Sequence, residues 1–180
     1  MCLRQRHWGS GPFSRTIDTA MDDKGLYMRY WLMKSEPSDV SIDDLAAMPD
    51  QRIAWYGVRN YQARNFMRDQ MRVDDRVFFY HSSCAEPGIA GIAVVDKLAY
   101  PDETQFDPSG KYFDPKATSS NPRWFNVDVR FLRKTRLIGI SELRRHPELA
   151  QMRILQKGNR LSITPVDPAE WDYINRVFLA

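Results

Sequence analysis

Two β-favouring runs, Arg76-Val77-Phe78-Phe79-Tyr80-His81 and Ile89-Ala90-Gly91-Ile92-Ala93-Val94-Val95, flank the polar loop Ser82 to Gly88. So short a connection makes them a hairpin, since parallel strands would need a longer crossover. The second run is apolar without alternation and reads as a buried strand. Gly91 inside it signals a bulge, or close approach of another group to the backbone.

The rest of the chain supplies more short strands and small helices. Arg29 to Lys34 is strand-like, and Ile53-Ala54-Trp55-Tyr56 is a brief strand that stops at Gly57. Phe125 to Leu132 alternates apolar and polar residues, as a strand with one wet face does, and Leu161 to Val166 is the last strand. Helices are expected at 41–48, capped by Ser38 or Ser41, from Asn60 to Met71, at Ser141 to Arg145, and at Glu148 to Gln156. A closing helix over Ala169 to Val177 takes Asp167 as its cap and Pro168 at its first position. Residues 100 to 123 form a long polar loop that embeds Phe106, Tyr112 and Phe113, which argues for its folding back onto the sheet. With no βαβ alternation, the fold class is α+β, most simply a small mixed β-barrel with short helices packed around it. Gly88-Ile89-Ala90-Gly91 lacks the Lys-Ser/Thr pair and the strand-to-helix setting of a phosphate loop.

At 180 residues and 43% apolar, the chain suits one soluble domain. Residues 1 to 27 have no sustained period and read as a poorly ordered extension, so the domain spans 28–180. The net charge of +3 is small, but residues 123 to 160 are rich in arginine and lysine while 35 to 58 are acidic, so the folded chain can show a positive face. Cys2 and Cys84 make no disulfide framework and no metal array, which points to a reducing compartment, no structural metal and no cofactor. No apolar run is long enough to cross a bilayer, and the first residues lack a secretory pattern, so a cytoplasmic protein is expected, or a nuclear one in a nucleated cell.

Trp31-Leu32-Met33-Lys34-Ser35-Glu36-Pro37 and Trp55-Tyr56-Gly57-Val58-Arg59-Asn60-Tyr61-Gln62-Ala63-Arg64-Asn65 carry the chemistry. Aromatics, amides and arginines alternate there, a mixture suited to stacking on a flat ring beside a phosphate chain. On the wheel of the helix after Asn60, Ala63, Phe66, Met67 and Met71 face one way and Arg64, Arg68 and Arg72 another. Each candidate also has a local reading. Trp55 and Trp124 can be core aromatics, Ser35 and Asn60 can cap turns, and the arginines can be a solvated face.

Those segments, together with Phe79-Tyr80-His81-Ser82, Tyr112-Phe113-Asp114-Pro115-Lys116, Asn121-Pro122-Arg123-Trp124 and Arg160-Leu161-Ser162-Ile163-Thr164-Pro165-Val166, resemble an EVE domain. The resemblance spans Tyr30 to Val166 and implies a PUA-like barrel, the fold shared with YTH domains, and recognition of a modified base in nucleic acid. In YTH domains a Lys-Ser-polar strand end and a tryptophan after the first helix line the pocket for a methylated base. Lys34-Ser35-Glu36 and Trp55 hold the matching places. YTH domains follow the serine with asparagine, whereas Glu36 stands here, and a carboxylate suits the exocyclic amine of cytosine. The resemblance thus implies a modified cytosine in DNA, with RNA left open. The base-binding candidates are Ser35, Glu36, Trp55, Tyr56, Asn60, Tyr61 and Trp124, and the phosphate-binding candidates are Lys34, Arg64, Arg68, Lys157 and Arg160.

Two other classes stay open at this level. An enzyme acting on a nucleotide or nucleic acid would use Glu36 or His81 in acid-base work, with Cys84 close by, but no third orienting group marks such a set and no catalytic residue is assigned. A protein-interaction module would use aromatics exposed on the long loop. Nothing in the sequence points to a membrane partner or to an oligomeric state.

Overall fold

The computed structural model describes residues 28–180; the extension read over residues 1 to 27 lies outside them. Its elements are β1 (Tyr30–Ser35), α1 (Ile42–Ala47), β2 (Arg52–Ala54), α2 (Tyr61–Asn65), β3 (Arg76–His81), β4 (Gly88–Pro101), β5 (Phe125–Gly139), α3 (Ile140–Leu143), β6 (Ile163–Val166) and α4 (Pro168–Phe178). The strands form one mixed sheet in the order β2-β5-β4-β3-β1-β6. Only β1 and β3 run parallel, as the long connection through α1, β2 and α2 allows. The α+β class holds. The edge strand β2 and the residues leading into β6 border one common cavity, so the sheet curls into an incompletely closed barrel.

Strand periodicity sorts the apolar residues onto two faces. In β1, Trp31 and Met33 join the cluster that includes Val77 and Phe79 of β3, covered by Ile42 and Leu45 of α1 and by Ala63, Phe66 and Met67. Tyr30 and Leu32 face the other way, into the cluster of Phe78, Tyr80, Ile138, Leu143 and the α4 residues Trp171, Ile174 and Phe178. A strand buried on both faces shows no alternation in its sequence. Trp171 stacks on Phe78 at 4.1 Å and on Tyr30 at 4.6 Å between ring centroids.

Local signals set the element ends. Ser41 and Asp44 form a reciprocal capping box on α1, and Asp167 and Glu170 form one on α4 with Pro168 in its first turn. The buried Asp75 ties β1 to β3 by accepting from Trp31 Nε1 at 2.9 Å, Arg72 N at 3.0 Å and Arg29 N at 3.1 Å. Burial raises its pKa against the pull of those donors.

Three expectations change. The helix expected to run from Asn60 to Met71 is α2 followed by a π-helical turn, Phe66–Gln70, closed by Met71 N on Phe66 O at 2.9 Å. The wider turn lets Phe66, Met67 and Met71 all reach the core. The helix expected at Glu148 to Gln156 is instead two 3₁₀ turns, Pro147–Leu149 and Arg153–Leu155. Gln156 and Asn159 amides donate to Ala150 O and Arg153 O and so satisfy carbonyls that a continuous helix would use itself. Strand β5 runs on to Gly139 because its polar second half still pairs with the start of β4, although much of that half faces water.

Both readings of Gly91 are realised. The β3–β4 register slips between Phe79 and Tyr80, so Ala90 is the extra residue, and α1 presses on Gly91 itself. A Cβ there would lie 2.6 Å from Ile42 Cδ1 and Cγ1 and 2.8 Å from Arg133 O. Gly91→Ala should therefore destabilise the fold by about 1–3 kcal/mol through overpacking. Ile42→Ala in the same chain should recover part of that loss, so urea melts of the single and double variants must be non-additive.

Candidate functional site

The site is built on the loop that leaves β2. Trp55 N donates to Val127 O at 2.8 Å and extends the β2–β5 ladder by one bond. The chain then turns at Gly57, whose φ of +80° suits glycine. Asp102, buried just past β4, fixes that turn by accepting from Gly57 N at 2.9 Å and Arg59 Nη1 at 2.8 Å on one oxygen, and from Thr104 N and Oγ1 on the other. Burial pushes the Asp102 carboxyl up, but the donors from Arg59, Thr104 and Gly57 together outweigh it and hold the pKa below the usual value. Arg59 spends its remaining N–H groups on Tyr112 O, Thr104 Oγ1 and Val58 O. One ion pair thus joins the β2 exit loop to the long loop after β4.

Tyr112 comes from that long loop and lies against Gly57, where a Cβ would stand 2.7 Å from Cζ of its ring. Tyr56 meets Tyr112 edge-on at 6.1 Å, and Trp55 meets Phe79 of the core edge-on at 5.5 Å. These three aromatics border a cavity of about 630 Å³, within the range of small-ligand pockets. The end of β1 and the loops before α1 and β6 border the same cavity with Lys34, Ser35, Glu36, Asp39, Arg160 and Ser162. Ser82 and Ser83 of the β3–β4 loop and Lys111 complete the polar rim. Four cations, Lys34, Arg59, Lys111 and Arg160, meet two carboxylates, Glu36 and Asp39, so the lining is net positive. Burial lowers the pKa of Lys34.

Among the sequence candidates, Lys34, Ser35, Glu36, Trp55, Tyr56 and Arg160 border this cavity together. Ser35 also serves locally, its hydroxyl donating to Val40 O at 2.7 Å. Trp55 is both wall and core, being 8% exposed. The other candidates sit elsewhere, and the structure gives the reason for most of them. Asn60 caps α2, its side-chain oxygen accepting from Gln62 N and Ala63 N. Tyr61 and Trp124 stack on each other at 4.9 Å beyond Arg59, with the Trp124 indole donating to Asp114. Arg64 packs against that pair, donating to Arg123 O at 2.8 Å. Arg68 is engaged on both carboxylate oxygens of its neighbour Asp69 at 2.7 and 2.9 Å, and Lys157 is exposed in the turn before β6.

Arg59, Lys111, Tyr112, Asp39 and the serines of the rim were not among the candidates. The aromatics embedded in the polar loop were the signal for Tyr112. Nothing local marks Arg59, because its role depends on a carboxylate 43 residues away. His81, weighed for acid-base work, has its Nε2 accepting from Ile42 N at 3.1 Å, and burial lowers its pKa. That bond occupies the lone pair a base would use. Cys84 is a free, partly exposed thiol. Among the described residues, no helix is long and apolar enough to cross a membrane, and no three His, Cys, Asp or Glu side chains are grouped to hold a metal ion.

Comparison with known proteins matches residues 29–177 to the EVE domain family model. Human thymocyte nuclear protein 1 is 45% identical over 163 residues, covering 81% of this chain and 72% of its own. A crystal structure from Pseudomonas putida superimposes with a TM-score of 0.78 at 48% identity, over 82% of this chain and 97% of that one. The human THYN1 protein in complex with 5-methylcytosine-containing DNA superimposes with a TM-score of 0.77 at 43% identity, over 83% and 96% of the two chains.

Two outcomes test this geometry. Gly57→Ala places a side chain at positive φ and drives Tyr112 off its seat, so it should cost more than the roughly 1–2 kcal/mol of the backbone conformation alone, and Tyr112→Ala in the same chain should return only the steric excess. Asp102→Asn leaves Arg59 half-buried without its counter-charge and should cost on the order of 3 kcal/mol at neutral pH. A depressed carboxyl pKa contributes stability above its unfolded value and loses it as pH falls through the folded one. Urea melts should therefore separate wild type from Asp102→Asn at pH 7 and bring them together below the usual carboxylate range.

Proposed function

The chain belongs to the EVE domain family, and we propose on that premise that it reads a modified cytosine in DNA by taking the base into the cavity between Trp55, Tyr56 and Tyr112. The observation that carries this reading is the joint presence, around one cavity, of aromatic rings for a flat base, an acceptor set for an exocyclic amine and cations for a phosphate. The DNA complex of the THYN1 relative supports both the ligand and the choice of DNA over RNA.

Glu36 is the acceptor for the cytosine amine, helped by the hydroxyl oxygen of Ser35, whose proton is already committed to Val40 O. Lys34 and Arg160 hold phosphate oxygens at the rim, positioning the strand without reading its sequence. For a base drawn from a duplex, stacking returns roughly 1–3 kcal/mol per aromatic contact, which offsets the few kcal/mol of unstacking. Base flipping is thus affordable with two walls. The modification itself adds little: one buried methyl contributes about 0.8 kcal/mol, close to a fourfold preference.

The role is binding without catalysis, supported by the engagement of His81 Nε2 with α1. The site of action is wherever the cell keeps its DNA, the nucleus in a nucleated cell.

Trp55 also fills the core, so Trp55→Ala would cost about 3–5 kcal/mol of fold stability and blur any binding result. Trp55→Leu keeps most of the volume and removes the ring. Titration by fluorescence anisotropy with strands carrying 5-methylcytosine or cytosine should show the wild-type preference and its loss in Trp55→Leu. Equal affinity of the wild type for both strands would refute the reading.

A further inference from the structure

The aromatic and cationic groups do not stop at the cavity. Arg59 Cζ lies 5.3 Å from the Tyr112 ring, on the cavity wall, and 5.4 Å from the Trp124 ring, which is outside the cavity lining. Trp124 is buried beneath Tyr61, stacked at 4.9 Å with 23° between planes, and Tyr61 is 48% exposed. Arg64 Cζ stands 4.9 Å from the Tyr61 ring centre and Arg123 Cζ 5.7 Å from it, with Arg123 Nη2 donating to the Tyr61 hydroxyl. A second surface of stacked ring and guanidinium therefore begins one arginine away from the cavity.

Its arginines are not equivalent. Arg59 is paired with Asp102, Arg68 with Asp69 and Arg123 with Asp114. Arg64 has no carboxylate within ion-pair distance among the described residues; it donates through Nε to Asn65 Oδ1 and through Nη1 to Arg123 O. Its Nη2 has no protein acceptor there. Burial, and then the nearby Arg68 and Arg123, lower its pKa against the weaker pull of Tyr61 and Asp69. A fixed guanidinium with a spare N–H edge, beside an exposed ring, has the chemistry of a nucleotide contact: phosphate on the guanidinium and base or sugar on the ring.

We propose that Tyr61 and Arg64 form a second nucleotide subsite, which holds a nucleotide flanking the base in the cavity, with its phosphate on Arg64 and its base against Tyr61. The subsite extends the reading of the cavity as a base pocket and rests on it for the polarity of the strand. It adds affinity to any strand and no preference for the modification, because neither a phosphate nor a ring face carries that information.

The test compares the 5-methylcytosine mononucleotide with a short single strand carrying that base in its middle, by calorimetric titration across a salt series. Arg64→Gln should leave mononucleotide binding unchanged, weaken the strand several-fold and lower its salt slope by about 0.7, the value for one phosphate on a single strand. Arg64→Lys should restore the slope, and Tyr61→Ala should weaken the strand about tenfold, a loss Tyr61→Phe avoids. Arg68→Ala should change the slope far less than Arg64→Gln, since its charge is already neutralised by Asp69. If Arg64→Gln and Tyr61→Ala bind the strand as wild type does, or weaken the mononucleotide equally, the subsite is overturned. If the wild type fails to prefer methylated over plain strands while these variants still lose strand affinity, the cavity reading falls and the subsite stands. Melting temperatures of each variant separate misfolding from lost contact.

Discussion

The Asp102 carboxylate is the group on which the site depends. It lies fully inside the protein, accepts from the Gly57 amide and the Arg59 guanidinium on one oxygen and from Thr104 on the other, and through them joins the loop after β2 to the loop after β4. A buried charge without partners is costly, so the loops are ordered by the need to satisfy it. Once Gly57 is held, Trp55 and Tyr56 have fixed directions. Once Arg59 is held, Tyr112 has its carbonyl anchored and its ring seated over Gly57. The aromatic border of the cavity is thus assembled by an ion pair that need not touch a ligand.

The two-faced sheet provides the rigidity behind that arrangement. Because β1, β3 and β4 are buried on both sides, one cluster can support α4 and the 3₁₀ turns while the other supports α1, α2 and the cavity floor. Lys34 and Ser35 project from the end of a strand whose preceding residues are sealed in the core, so the polar end is carried by the most constrained part of the molecule. A binding group placed on such an element keeps its geometry without help from the ligand.

Much of this was legible from the chain. The hairpin of β3 and β4, the dual meaning of Gly91, the Asp167 and Pro168 start of α4 and the class of the fold follow from local chemistry that tertiary contacts do not overrule. Lys34, Ser35, Glu36, Trp55 and Tyr56 also converge, because strand ends and the turn after β2 open on the same side. Asn60, Tyr61 and Trp124 also suit a base pocket by residue type and by nearness in sequence to Trp55 or to the matching motifs. Asn60 takes the local capping role, Tyr61 goes where α2 directs it after that cap, and Trp124, in the loop before β5, stacks on Tyr61, a pairing no local pattern specifies. The pairing of Arg59 with Asp102, 43 residues apart, is likewise invisible in a single sequence, where any of several carboxylates would serve. The π-helical turn Phe66–Gln70 departs from the roughly 100° period of an α-helix, so a wheel drawn on that period does not show it.

The most direct test of a base pocket at this place is chemical-shift mapping of the isotope-labelled protein with a short DNA strand carrying one 5-methylcytosine, and with the same strand carrying cytosine. The account predicts that the Trp55 indole and the amides of Lys34, Ser35, Glu36, Tyr56 and Gly57 move most, that they respond more strongly to the methylated strand, and that the Trp171 indole on the far face stays still. Perturbations centred on α4, or a cavity that responds identically to both strands, would contradict it.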